Sequence, residues 1–309
     1  MFTFARHSHL MKEKVVIPGS PKAWLLAARP KTLSGAAVPV MIALALSYAT
    51  TGAAQFKALP AALCVLFALI MQIDANFVND YFDFMRGNDD DTRLGPRRAC
   101  AQGWISPRAM LRAIVLTTLV ACAVGLPLVM YAGMWTLGVG ALCVLFCFLY
   151  TTSLSYLGLG DMLVLVFFGV VPVCVTFYIL TGCVTAEAVV ASLSCGLVID
   201  TLLLVNNYRD IDNDAAAGKK TLVVRLGHRF GRMAYLVSGL SAVALGSAFV
   251  YYGHVWAAVL PLVYAVLHVA AYRSMVRINK GKALNIVLGT TARNMFFYGI
   301  LVSVGFLLG

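Results

Sequence analysis

Eight of the 13 acidic residues of this sequence fall in two short stretches, NFVNDYFDFMRGNDDD at 76–91 and NNYRDIDNDAAAGKKTLVVRLG at 206–227. Read as helix ends, the first puts Asn76, Asp80 and Asp83 on one face at i, i+4, i+7, and the second puts Asp210 and Asp214 on one face at i, i+4. Each end can then present two carboxylates to one point. Magnesium takes oxygen ligands and is usually held by a few carboxylates plus the phosphate oxygens of a substrate. Lys219, Lys220 and Arg225 lie close by in sequence to meet the remaining phosphate charge. A diphosphate held in this way becomes a better leaving group, because metal and side-chain cations stabilise the charge that develops on it.

Other uses of the same residues fit less well. Asp210, Asp212 and Asp214 start like a calcium loop, but its sixth position is Ala215 instead of Gly and its twelfth is Thr221 instead of Glu. A CDP-alcohol phosphotransferase should carry Asp-Gly at the start of its motif, and the chain has none. Asp89, Asp90 and Asp91 read equally well as solvated surface. Asp74 and Asp200 fall inside apolar stretches and Asp161 opens another; acids in such places are functional candidates by default.

The elements that must position these residues are membrane helices. The chain has 309 residues, 61% hydrophobic and 12% charged, with a mean hydropathy of +0.86, where soluble domains run at about 45–50% apolar and about 25% charged. Nine apolar stretches approach the roughly 20 residues that a spanning helix needs: 34–50, 58–78, 109–131, 134–154, 159–181, 186–206, 233–253, 255–272 and 286–308. Their length and continuity point to helices and away from a membrane β-barrel, whose strands alternate over about ten residues. The expected fold is therefore all-α, a polytopic helical bundle with about nine transmembrane helices. Residues 1–27 are expected to be a polar tail without the apolar core of a cleaved signal peptide, and 28–309 a single transmembrane domain.

With nine spans, 22 of the 24 Lys and Arg residues fall before the first span or in the links that share its side, leaving Lys57 and Arg293. The net charge of +11 thus reads as basic cytoplasmic loops, with no nucleic-acid partner, and puts the N-terminus and both acidic stretches on the cytoplasmic face of a cell membrane. The eight cysteines form no CxxC pair, so disulfides and zinc are not expected.

The motif residues resemble the UbiA superfamily of intramembrane aromatic prenyltransferases. That family carries NDxxDxxxD and DxxxD on paired cytoplasmic loops of a nine-helix bundle. Here the first motif reads Asn79-Asp80-Tyr81-Phe82-Asp83, with Gly87 where its third aspartate would stand and Asp89 or Asp90 slightly further along; Asp210 and Asp214 match the second. The family's Tyr-x-x-x-Lys begins at Tyr150, but its lysine position holds Leu154. The stretches ARPKTL, NDYFDFMRG, GPRRA, YLGLGD, FFG and AGKKTLVVRLG are most similar to the branch that prenylates 1,4-dihydroxy-2-naphthoate on the way to menaquinone.

The resemblance implies a Mg2+-dependent reaction in which an allylic polyprenyl diphosphate ionises, the acceptor ring attacks, and the prenyl group takes the place of the carboxylate, giving demethylmenaquinone. Asp80 and Asp83 would then bind one metal and Asp210 and Asp214 the other, with Asn76 and Asn79 completing the shell. Arg209, Lys219, Lys220 and Arg225 would grip the diphosphate, and Arg29, Lys31 and Tyr150 would meet the acceptor. Phe146, Phe148, Phe167 and Phe168 would line a groove for the isoprenoid chain. The alternatives are another aromatic acceptor, namely 4-hydroxybenzoate, homogentisate or haem, and a transporter or lipid-binding protein using the acidic loops as an ion site. The latter would more often carry its charges at midplane in broken helices.

Overall fold

The computed structural model describes residues 16–87 and 93–309, apart from the side chain of Ser155. Arg6, Lys12 and Lys14 of the expected tail, and Asp89, Asp90 and Asp91, lie outside the described residues. Those described form helices and no strand. A short helix α1 (Pro21–Ala28) precedes nine helices long and apolar enough to cross a membrane. These are α2 (Ser34–Thr51), α3 (Ala58–Met85), α4 (Pro107–Ala132), α5 (Trp135–Thr152), α6 (Gly160–Thr181), α7 (Ala186–Arg209), α9 (Leu222–Tyr252), α10 (Val255–Ile278) and α11 (Leu284–Leu308). The short α8 (Ile211–Ala216) lies between α7 and α9.

Local signals set where these helices begin. Ser106, Thr185 and Thr221 each accept a hydrogen bond from the backbone N–H three residues on, capping α4, α7 and α9, and Pro107 stands in the first turn of α4. Two helices run past the ends that hydropathy suggests. At about 1.5 Å per residue the 28 residues of α3 span roughly 42 Å, well beyond a hydrocarbon layer of about 30 Å. The last turns of α3, with Asn79, Asp80 and Asp83, therefore stand clear of the apolar layer. At the start of α9, Gly227 breaks the helix with φ +81°, so the charged segment from Leu222 lies before the spanning part.

Helix α7 is the central pillar: 67% of its most apolar window is buried, against 17% for α4 and α5 at the periphery. It sits in a core built with Val38, Ile42 and Leu46 of α2, Phe177 of α6, Phe249 of α9 and Tyr298 and Phe306 of α11. On α4, Leu111, Val115, Leu116 and Leu119 face outward, as a lipid-facing surface requires. Helices α6 and α7 approach each other closely. A Cβ on Gly169 would lie 2.7 Å from the Ser192 carbonyl oxygen and 2.8 Å from the Gly196 Cα, so only glycine permits this contact. The same part of α6, Leu165–Val175, winds as a π-helix that includes Pro172, whose missing N–H a conventional turn would leave as a gap.

The last residues of the expected 1–27 tail form most of α1 and pack on the bundle. Ala23 and Ala27 of α1 are buried, Trp24 packs edge-on against Phe77 of α3 at 5.7 Å, and the Gly19 N–H donates to the Trp104 carbonyl at 2.8 Å. An apolar face of alanines and one tryptophan within a lysine-bearing segment is too short to register as a span, yet it covers α3.

Candidate active site

The end of α3 divides its polar residues between two jobs. Both carboxylate oxygens of Asp80, itself 1% exposed, accept backbone N–H bonds, from Ala99 and Cys100, at 2.9 Å each. The Asn76 amide donates to the Ala28 carbonyl and to Thr32 Oγ1, both at 2.9 Å. Asn76, Asp80 and Asp83 do share a face, but the first two are occupied in holding the α1–α2 link and the 99–100 turn. The neighbouring face carries Asn79, Asp83 and Arg86. Asn79 Oδ1 accepts from Thr151 at 2.5 Å, the Arg86 guanidinium donates to the carbonyls of Thr151 and Thr152, and Asp83 pairs with Arg98 at 3.0 Å.

From the other side, α7 and α8 bring Asp210 and Asp214. Arg209 holds Asp210 through two bonds, at 2.8 Å and 2.5 Å, and also donates to Asn206 and Asn285 at 2.8 Å each. Asn285 in turn donates to the Leu94 carbonyl at 2.8 Å. Arg209 is 4% exposed, so its fork fixes the carboxylate and the 93–95 segment instead of facing an open site. Arg225 donates to the Leu157 carbonyl at 3.1 Å, and the Lys220 N–H to the Tyr156 carbonyl at 3.0 Å. Gly158, at φ +81°, lies against the Lys220 carbonyl, which a Cβ would meet at 2.2 Å. The turn after α5 is thereby sealed to the 218–221 loop.

Both acidic stretches meet at Lys219. Its ammonium bonds Asp214 at 3.0 Å, lies over the Tyr156 ring at 5.7 Å, and senses the charge of Asp83. Arg86 covers the same ring at 5.2 Å. Burial pushes the Asp214 carboxyl above the usual carboxylate range, with Lys219 working against that rise. For Lys219, burial alone would lower the ammonium, and Asp214, then Asp83 and Tyr156, more than offset it and raise it. Lys220 is exposed, Arg29 is half-buried beside the segment tied by Asn76, and Lys31 is exposed. Tyr156, Arg86 and Arg98 are site residues that spacing alone did not single out, although YLGLGD and GPRRA already stood out as family-like stretches.

No three His, Cys, Asp or Glu side chains come close enough to hold a metal among the described residues. The donors present are hard oxygens, from Asn79, Asp83, Asp210 and Asp214, spread over two loops. That set fits an ion that takes only a few protein ligands and completes its shell from phosphate and water, as Mg2+ does. Tyr150 lies membrane-side of this point. Its ring is 5.4 Å from that of Phe146, which stacks on Phe167 at 3.9 Å and 2°. Phe148 instead packs with α1, α3 and α4, and Phe168 against the central core.

The sequence pattern of the UbiA prenyltransferase family matches residues 36–300. The chain belongs to the UbiA prenyltransferase family. It is 35% identical over 244 residues to a 1,4-dihydroxy-2-naphthoate octaprenyltransferase of Haemophilus influenzae, covering 76% of this chain and 79% of that protein. It is 38% identical over 224 residues to the protein of the same name from Mycobacterium tuberculosis, covering 72% and 75%. Among solved structures, a UbiA homologue from Aeropyrum pernix superposes with a TM-score of 0.65 at 17% identity, over 89% of this chain and 97% of that one. Another from Archaeoglobus fulgidus, bound to DMAPP and Mg2+, gives 0.56 at 15% identity over 91% and 99%. These two show the UbiA fold, an all-α multi-pass membrane bundle.

Proposed function

We propose that this chain transfers a polyprenyl group from its diphosphate to 1,4-dihydroxy-2-naphthoate, with loss of the carboxylate as CO2, to give the hydroquinone form of demethylmenaquinone. The single observation that carries the reading is the junction at Lys219, which contacts Asp214 and covers the same Tyr156 ring as Arg86 from the opposite stretch. The naphthoate is favoured over other acceptors by the 35–38% identity to proteins named for that acceptor.

In this reading Asp83 with Asn79 and Asp210 with Asp214 would hold Mg2+, which when bound would supply charge to neutralise the diphosphate. Asp80 and Asn76 shape the loop and are not ligands. Lys219, with Lys220 at the rim, meets the departing diphosphate, whose oxygens replace the internal pairings of the two loops. Arg209 and Arg225 act indirectly, the first by fixing Asp210 and the second by fixing the 157–158 turn. The stacked rings of Phe146 and Phe167, leading to Tyr150, flank the isoprenoid near its reactive end, where aromatic faces stabilise positive charge. Arg29 and Lys31 attract the acceptor's carboxylate. The charged loops face the cytoplasm across the inner membrane, in keeping with their excess of Lys and Arg.

Asp83→Ala and Asp210→Ala test this directly. Each should abolish prenyl transfer in isolated membranes while leaving the amount of protein unchanged. Normal turnover by either variant would sink the assignment.

A further inference from the structure

Beneath the diphosphate loops lies a second acidic group that the reaction as described does not use. Asp200 is on α7, on the face shared by Leu203 and Asn207, and by helix rise it is roughly 15 Å deeper than Asp210. It is 6% exposed. Asp161 at the start of α6 and Ser238 of α9 are its polar neighbours. The Oδ1 atoms of Asp161 and Asp200 are both buried and receive no hydrogen bond from the described residues. The close contact at Gly169 and Gly196 is what brings these two helices together. Two neighbouring carboxyl groups buried in this way cannot both stay ionised.

This pair is connected to the site above. A cavity of about 20 Å³ is lined by Asp161, Tyr150, Asn207 and Thr221 and closed by Gly158, Gly160 and Leu203. That is room for one water, and four polar groups line it, the number of partners a bound water can use. Thr221 directly follows Lys219 and Lys220, and Tyr150 continues into the stacked wall of Phe146 and Phe167. Tyr150 thus stands between that aromatic wall and the cavity.

We propose that Asp161 and Asp200 share one proton and act, through Tyr150 and the cavity, as the base that takes the acceptor's hydroxyl proton during ring attack and later returns it. The cycle balances. The allylic C–O bond breaks, and its electron pair leaves with the diphosphate. The ring carbon that bears the carboxylate bonds to the allylic carbon, while the adjacent hydroxyl gives its proton to the pair and becomes a ketone. The bond to the carboxylate then breaks, CO2 leaves, and its electrons turn the ketone into an enolate that takes the proton back. The pair passes from one proton to two and returns to one, with no oxidant or reductant. The final return step rests on the naphthoate reading, whereas proton removal applies to any hydroxyaromatic acceptor.

Full-length protein in lipid nanodiscs with Mg2+ and a polyprenyl diphosphate provides the test. Asp161→Asn and Asp200→Asn should each lower kcat by about 100-fold, within the range of a lost general base. KM for the polyprenyl diphosphate should stay within about twofold, as expected when only a transition-state role is removed. The loss should shrink by about tenfold with a ring-fluorinated acceptor, whose more acidic hydroxyl needs less help from a base. An equal loss with both acceptors, a parallel rise in KM, or near-native turnover would overturn the proposal. If the native protein turns over 4-hydroxybenzoate and not the naphthoate, the naphthoate reading fails, and the variants are judged on proton removal from the acceptor that works. Should the Asn variants not fold, infrared spectra decide: a protonated-carboxyl band at pH 7 that moves in Asp161→Glu or Asp200→Glu is expected, and its absence contradicts a shared proton.

Discussion

At Lys219 a single ammonium pairs with Asp214 and shares the Tyr156 ring with Arg86, and its effect on Asp214 has a measurable consequence. Burial raises the Asp214 carboxyl, and Lys219 opposes that rise. Only the ionised carboxylate ligates a metal, so activity should fall as pH drops through the Asp214 titration. Lys219→Gln removes the opposing cation, lets the carboxyl rise further, and should move the acid limb of the pH–activity profile to higher pH. An unmoved limb would show that Asp214 does not set it. Asp83, Asp210 and Asp214 were legible as candidate ligands from type and spacing alone. Asp80 was not legible as an anchor, because its partners are backbone amides 19 and 20 residues away in a stretch without regular periodicity. Arg209 likewise reads as a phosphate ligand until its contacts with Asn206, Asn285 and Asp210 are seen.

Between elements, the decisive contact is α6 on α7. It places Asp161 beside Asp200 and sets the start of α6 against the turn that carries Tyr156. Gly169→Ala puts a methyl group into the Ser192 carbonyl and the Gly196 Cα, neither of which is a flexible side-chain end. Overpacking of this kind costs about 1–3 kcal/mol, so the variant should melt at a lower temperature and lose activity in proportion; an unchanged Tm would mean the helices can part without penalty. The spans themselves were readable in sequence because apolar runs of this length have few other uses. Their polar extensions were not. Helix α3 continues to Met85 and α9 begins at Leu222, where hydropathy falls away but capping and i, i+4 pairing persist. The short α1 was hidden for the opposite reason, its apolar face being too brief to count.

For the whole molecule, charge is sorted by end. Asp83–Arg98, Asp214–Lys219 and Lys280–Asp212 gather at one end of the bundle, while the Glu187–His254 pair at 2.8 Å belongs to links that nine crossings put at the other. In a cysteine-free background, Lys282→Cys should react with a membrane-impermeant thiol reagent only from the cytoplasmic side and Lys57→Cys only from outside; the reverse pattern would invert the topology. Membranes containing this protein, supplied with Mg2+ and a labelled polyprenyl diphosphate, are offered 1,4-dihydroxy-2-naphthoate, 4-hydroxybenzoate, homogentisate or haem in turn. A labelled lipid with release of CO2 and pyrophosphate from the naphthoate alone is the expected result, and a labelled product from one of the others with none from the naphthoate would contradict it.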